Sequence, residues 1–207
     1  MHLQILPLGP FQTNGILLWN ADRKALVVDP AAESEKIRAV LKEEELEPIA
    51  YLCTHAHADH INALADLHQT HPAPILMHSA DWQWAFSEAN QIPPHYPIPP
   101  QPPNPEFHPL ESQEKWIFAD LVFQSIHTPG HTPGSSCFYF PEHQLLLSGD
   151  TLFKGSCGRT DLPGGSSRQI RDSLNLLKRL PDETRIHPGH GSSTTLAYEK
   201  ATNFFMQ

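Results

Sequence analysis

Three histidines and an aspartate crowd into six consecutive positions, His55-Ala56-His57-Ala58-Asp59-His60, directly after a short apolar run at 50–54. Nothing else in the chain constrains its fold as strongly. The apolar run reads as a buried strand, so the polar cluster must sit where that strand leaves its sheet. Packing gives no reason to gather four such groups there, and polar groups left unpaired at a strand end carry a cost. Side chains two apart in an extended segment point the same way, so His55 and His57 can grip one metal ion. Asp59 and His60 lie where the chain turns into a helix and point elsewhere. Imidazole and carboxylate are ordinary ligands of divalent metals, so one segment can serve two neighbouring ions.

Three further segments invite the same reading. His131 lies in Thr128-Pro129-Gly130-His131-Thr132-Pro133-Gly134, Asp150 in Leu147-Ser148-Gly149-Asp150-Thr151, and His190 in His187-Pro188-Gly189-His190-Gly191. Each follows a strand-like run, and the flanking glycine or proline lets the backbone turn sharply and hold a side chain outward. Loops at strand ends, carried by a rigid sheet, are a common seat for catalytic groups. The other histidines read differently. His2, His68, His71, His95, His108 and His143 are isolated and read as polar surface groups. His78, His127 and His187 stand near the motifs and read as supporting or structural groups.

Around the motifs, strands alternate with helices. Residues 11–19 and 25–29 read as strands separated by the polar turn at 20–23. Residues 33–46 read as a helix with Ile37, Val40 and Leu41 on one face. A buried strand at 50–54, a helix at 59–69, a strand at 75–78 and a short helix at 81–90 complete the first half. The second half offers strands at 121–128, 135–140 and 144–148, a helix at 167–180, a strand at 184–187 and a final helix at 194–205. That helix is expected to cover the sheet with Leu196, Ala197, Phe204 and Phe205. Strands open each half and helices follow, so two mixed halves facing each other predict a single layered α/β domain over 1–207. Between the halves, residues 92–109 hold nine prolines. Each proline removes a backbone donor, which excludes helix and central strand. The segment reads as a stiff extended loop crossing the surface rather than a polyproline ligand for a partner.

Composition excludes several classes. With 39% hydrophobic and 18% charged residues the chain is globular in type. A formal net charge of −9 argues against a nucleic-acid partner, whose phosphates call for a basic surface. Three cysteines, Cys53, Cys137 and Cys157, do not suggest a disulfide framework. The first residues lack the basic and apolar regions of a signal peptide, and no apolar run is long enough to span a membrane. A cytoplasmic, reducing setting is the expectation.

The series His-X-His-X-Asp-His, then a distant His, an Asp and a His, resembles the metallo-β-lactamase superfamily, over nearly the whole chain. The resemblance implies an α/β fold of four layers, an αβ/βα sandwich with metals at one edge. It implies that His55, His57 and His131 bind one metal, that Asp59, His60 and His190 bind a second, and that Asp150 bridges them. A narrower likeness follows from Asp150-Thr151-Leu152-Phe153, from Gly155-Ser156-Cys157-Gly158-Arg159-Thr160-Asp161, and from Pro188-Gly189-His190-Gly191 with Thr194-Thr195, Glu199-Lys200 and Thr202-Asn203. These resemble the glyoxalase II group of hydroxyacylglutathione hydrolases, in particular its short bacterial-type members. The implied reaction is hydrolysis of S-lactoylglutathione or a related thioester by a hydroxide bridging two divalent ions, with Asp59 and Asp150 as catalytic residues.

Arg159 stands where that group has a basic residue contacting glutathione, and it and Lys154 are the candidate substrate-binding residues. Arg159 reads equally well as half of a structural ion pair with Asp161. The long members of the group carry a C-terminal helical domain that completes the glutathione site, and this sequence has little after His190 to supply one. No thiolate stands among the ligands, so the site suits zinc first, with iron or manganese as alternatives. Cys53 and Cys157 are given no nucleophilic role; Cys157 sits between glycine neighbours with no obvious base nearby in sequence. Two other readings stay open. One is a glutathione persulfide dioxygenase with a single iron on His55, His131 and Asp150. The other is a non-enzymatic metal-binding scaffold or partner-binding module using the proline-rich loop.

Overall fold

Two six-stranded sheets, one from each half of the chain, lie face to face in the computed structural model, which describes residues 1–110 and 114–207. The first half supplies β1 (His2–Leu8), β2 (Thr13–Trp19), β3 (Lys24–Val28), α1 (Ser34–Glu43), β4 (Glu47–Leu52), α2 (Ala58–Ile61), α3 (Leu64–Thr70), β5 (Ile75–Met77), α4 (Ser79–Trp82) and β6 (Phe107–Pro109). The second supplies β7 (Glu114–Phe118), β8 (Leu121–His127), β9 (Ser136–Phe140), β10 (Leu145–Gly149), the hairpin β11 (Leu152–Phe153) and β12 (Ser156–Cys157), α5 (Ser167–Leu177), β13 (Arg185–Pro188), β14 (Thr194–Thr195) and α6 (Leu196–Thr202). The sheet orders are β1-β2-β3-β4-β5-β6 and β14-β13-β10-β9-β8-β7.

The alternation of side chains along a strand sorts the apolar residues into layers. Ile16 and Leu18 of β2, Leu26 and Val28 of β3, and Ala50 and Leu52 of β4 face the second sheet, where they meet Phe123, Phe138, Phe140, Leu145 and Leu147. The intervening Leu17, Trp19, Ala25, Val27 and Tyr51 face outward onto Ile37 and Leu41 of α1 and Leu64 and Leu67 of α3. On the far side, Cys137, Tyr139, Leu146 and Ile186 pack against Leu174 and Leu177 of α5, Leu196 of α6, and Met206. Helix, sheet, sheet and helix form the αβ/βα sandwich that the resemblance implied.

Several elements differ from their sequence-based expectation. The helix expected at 59–69 is two, because the Ala63 amide donates to the carbonyls of Pro30 and Ala31 (3.1 and 3.3 Å) instead of continuing the helical ladder. The helix expected at 81–90 is the single turn α4, then turns and a 3₁₀ turn at Glu88–Asn90. There the Asn90 amide donates to the carbonyls of Ala56 and Ala85. The proline-rich segment is mostly exposed, but its last three residues pair in parallel with β5 as β6. Pro109 is tolerated there because β6 is an edge strand. The edge strands β1 and β7 escaped a reading built on buried apolar runs.

The final helix is also shorter than expected. Residues 194–195 form β14, α6 ends at Thr202, and Phe204–Met206 is a 3₁₀ turn. Of its expected covering face only Leu196 is buried; Ala197 is exposed, as are Phe204 at 81% and Phe205 at 48%. His68, expected at the surface, is only 4% exposed and tilts against Tyr51 at 6.2 Å.

The inter-sheet layer supports everything above it. Phe123 is fully buried, with Phe138 at 5.6 Å and Phe140 at 5.4 Å between ring centroids. Phe123→Ala should cost about 3–5 kcal/mol of unfolding free energy, read as a lowered urea midpoint with an unchanged slope.

Candidate metal centre

Every candidate ligand follows the end of a strand, and all seven meet at one edge of the sandwich. β4 delivers His55 and His57 and then α2, whose first turn carries Asp59 and His60; β8 leads to His131, β10 to Asp150 and β13 to His190. Three overlapping groups of ligand atoms result, His55–His57–His131, Asp59–His60–His190 and, joining them, His55–His60–Asp150, each within 4.8 Å of one another. Each group draws two members from the first half of the chain and one from the second.

In the first group His57 Nδ1 lies 3.1 Å from His55 Nε2 and 2.9 Å from His131 Nε2. In the second, His190 Nε2 lies 3.3 Å from both His60 Nε2 and Asp59 Oδ2. Tetrahedral coordination at metal–nitrogen bonds of about 2.0–2.1 Å gives ligand edges of about 3.3 Å, so the separations suit a divalent ion in each group. Asp150 lies between them, its Oδ1 3.4 Å from His60 Nε2 and its Oδ2 3.5 Å from His131 Nε2 and 3.6 Å from His190 Nε2. Asp150 Oδ1 is buried and without a hydrogen-bond partner, an atom that a cation would satisfy. Gly189 makes this approach possible, since a Cβ there would sit 2.2 Å from Asp150 Oδ1.

The rings are aimed from behind. His60 Nδ1 donates to Asp29 Oδ2 (3.0 Å), His131 Nδ1 to the Arg159 carbonyl (2.8 Å), and His190 Nδ1 to the Phe11 carbonyl (3.1 Å). His55 Nδ1 donates to Thr54 Oγ1 (3.1 Å), whose own proton goes to Asp29 Oδ2 (2.7 Å). In all four rings Nε2 is left facing the centre, the arrangement that orients metal-binding histidines.

Three supporting residues have no local sequence signal. Asp29 also accepts the Thr54 amide at 2.7 Å. Thr13 donates to Asp59 Oδ2 at 3.0 Å. Asp81 is fully buried and accepts from the Ala56 amide (3.0 Å), the Thr132 hydroxyl (2.7 Å) and the Gly134 amide (2.7 Å), tying the His55–His57 loop to the His131 loop. Each works across 25 or more residues of sequence, a range that no local pattern announces.

Burial and then the neighbouring imidazoles hold His55 well below the usual histidine range, and burial and His131 hold His57 at about 4. Both rings stay neutral and ready to ligate. Burial presses His60 and His190 the same way, but Asp150, Asp59 and Asp29 outweigh it at His60, and Asp59 and Asp150 at His190; both end above the usual range. Burial would raise Asp59 and Asp150, yet the surrounding histidines keep both ionised.

A cavity of about 550 Å³ opens over the ligands, with Phe11, Ile92, Leu162 and Pro163 as an apolar wall and Arg159 among its lining. Arg159 is 63% exposed and pairs with both oxygens of Asp161, at 2.7 and 2.8 Å. Lys154 does not line this cavity; it lies over the Tyr198 ring, 5.8 Å from its centroid, in a separate groove. His78 and His127 stack on each other at 4.1 Å, and His187 bonds Ser193, all away from the ligands. Burial raises the Cys53 and Cys157 thiols above their usual range, which suits neither for nucleophilic attack.

The sequence profile of the metallo-beta-lactamase superfamily matches residues 8–190, and the chain belongs to that superfamily. It is 34% identical over 210 residues to a probable metallo-hydrolase of Bacillus subtilis, covering 100% of this chain and 98% of that protein. It is 31% identical over 210 residues to the hydroxyacylglutathione hydrolase GloC of Haemophilus influenzae, with the same coverage. Among solved structures, the BLEG-1 B3 metallo-beta-lactamase superposes with a TM-score of 0.91 at 35% identity, covering 99% of both chains. A protein crystallised in a di-iron-bound form superposes with a TM-score of 0.86 at 40% identity, covering 98% of this chain and 99% of that one. No helix among the described residues is long and apolar enough to cross a membrane.

Two expectations follow. Asp29→Asn replaces the carboxylate behind His60 and Thr54 with a neutral amide that keeps one acceptor oxygen, and should weaken metal binding about 10–100-fold, measured by competition with a chromophoric chelator. Protons bind His60 and His190 more tightly than usual, and His55 and His57 less tightly. Acid should therefore displace metal from the Asp59–His60–His190 group first, as pH falls toward the usual histidine range, with the other group losing its metal at lower pH. Metal content after dialysis across that range checks the order.

Proposed function

We propose that the chain is a two-metal thioester hydrolase of the hydroxyacylglutathione hydrolase type, acting on S-lactoylglutathione or a related thioester. The observation that carries this reading is the pair of complete donor groups with Asp150 between them, at the floor of an open cleft. His55, His57 and His131 would hold one divalent cation and Asp59, His60 and His190 the other, with Asp150 between them as a ligand available to both. Zinc suits the donors, and the di-iron-bound relative makes iron the main alternative. Two cations so held supply Lewis acidity, which makes a water nucleophilic near neutral pH and polarises a carbonyl.

The protein's own groups supply the rest. Asp59, steadied by Thr13, lines the cleft where it can accept a proton from the attacking water. Phe11, Ile92, Leu162 and Pro163 shield the reacting bond from solvent. A thiolate leaves readily, so no strong protein acid is required, and among the described residues none lines the cleft in the protonated carboxyl form. The Haemophilus relative supports the thioester class, because it bears that activity in its name at essentially the same length.

Asp150→Ala should lower metal content from two ions per chain and cut turnover by about 10²–10³-fold or more, measured by elemental analysis beside hydrolysis of S-lactoylglutathione. Full activity with one tightly held metal would overturn the two-metal reading. Rapid oxygen consumption on glutathione persulfide with thioesters left intact would move the assignment to a dioxygenase. Faster cleavage of a chromogenic β-lactam than of any thioester would move it to the lactamases.

A further inference from the structure

Arg159 lines two cavities. One is the cleft over the metal ligands; the other is a groove of about 620 Å³ between α5 and the last residues of the chain. Arg171 and Asn175 of α5, Ser167 at its start, and the rings of Phe204 and Phe205 also line this second groove. No aspartate or glutamate side chain does so, in a chain with a formal net charge of −9. Among the described residues the ion-paired arginines are Arg23, Arg38 and Arg159, so the exposed Arg171 holds its charge without a carboxylate partner. Phe204 and Phe205 meet edge to face, with centroids 5.7 Å apart at 83°, and remain uncovered.

Guanidinium groups match carboxylates and phosphates through paired hydrogen bonds, and aromatic rings offer a surface to flat or apolar groups. Arg159 is common to the walls of both cavities, so the groove adjoins the cleft above Asp150. We propose that the groove receives the anionic tail of the thiol half of the substrate, with Arg171 as the anion contact and Phe204–Phe205 as the apolar platform. This rests on the thioester reading and extends it: the preferred thiol carriers bear carboxylates or phosphates remote from sulfur.

S-methylglutathione, which carries carboxylates, and desulfo-coenzyme A, which carries phosphates and a flat base, separate the two sources of anion. Each is titrated calorimetrically into the zinc-loaded full chain. At least one should bind, Arg171→Ala should weaken it by about tenfold or more, and Phe204→Ser should weaken it further in combination. Arg179→Ala removes the same charge from a position outside the groove and should leave binding unchanged, with circular dichroism verifying that each variant is folded. Equal affinity in wild type and Arg171→Ala, or no binding of either probe, would overturn the proposal. Arg171-dependent binding in a protein that cleaves no thioester would instead sink the hydrolase reading and leave the anion groove standing.

Discussion

Five imidazoles and two carboxylates face one another across a few ångströms in a largely buried patch, and the fold has to hold them there. Crowded lone pairs repel, and buried charges are costly unless paired. The structure meets this by bonding four of the five rings, and Asp59, from the far side. Asp29 anchors Thr54 and His60, the Arg159 and Phe11 carbonyls anchor His131 and His190, and Asp81 ties together the loops that carry His57 and His131.

What the sequence disclosed divides along the range of the interactions. His55, His57, Asp59 and His60 were legible because their chemistry lies in residue type and adjacent spacing, and His131, Asp150 and His190 because glycine and proline mark the turns that hold them outward. Asp81 was not, since a lone aspartate in a helical pattern carries no sign that its partners stand 25 to 53 residues away. The four layers followed from a family resemblance and from alternating apolar residues in β2, β3 and β4. The edge strands β1 and β7 lack that two-faced burial, and the break after α2 depends on carbonyls of Pro30 and Ala31 that no local pattern announces.

The closing motif of the chain has a structural meaning. Glu199 is buried and accepts the Gly155 amide (2.8 Å), the Thr194 hydroxyl (2.6 Å) and the Asn203 amide (2.8 Å), while Asn203 also donates to the Ser156 carbonyl (3.0 Å). These bonds hold the β11–β12 hairpin, and the residue that follows it by two is Arg159. The rim of the cleft is therefore set by α6, and the likeness at Glu199 and Asn203 concerns the placement of the rim rather than contact with a substrate.

Asn14, at the start of β2, donates through its side chain to the carbonyls of Pro188 and Gly191 (2.9 and 3.0 Å), and its amide donates to the Gly189 carbonyl (2.7 Å). This is a seam between the two halves, and it runs directly beside ligand groups that each take members from both. A cation held in either group is therefore a cross-link between the sheets, and its binding energy adds to the cohesion of the sandwich. Stripped of metal, the molecule keeps its aromatic inter-sheet layer but loses the fastening at one edge, so depletion of metal in the cell would shorten the protein's lifetime as well as silence its chemistry.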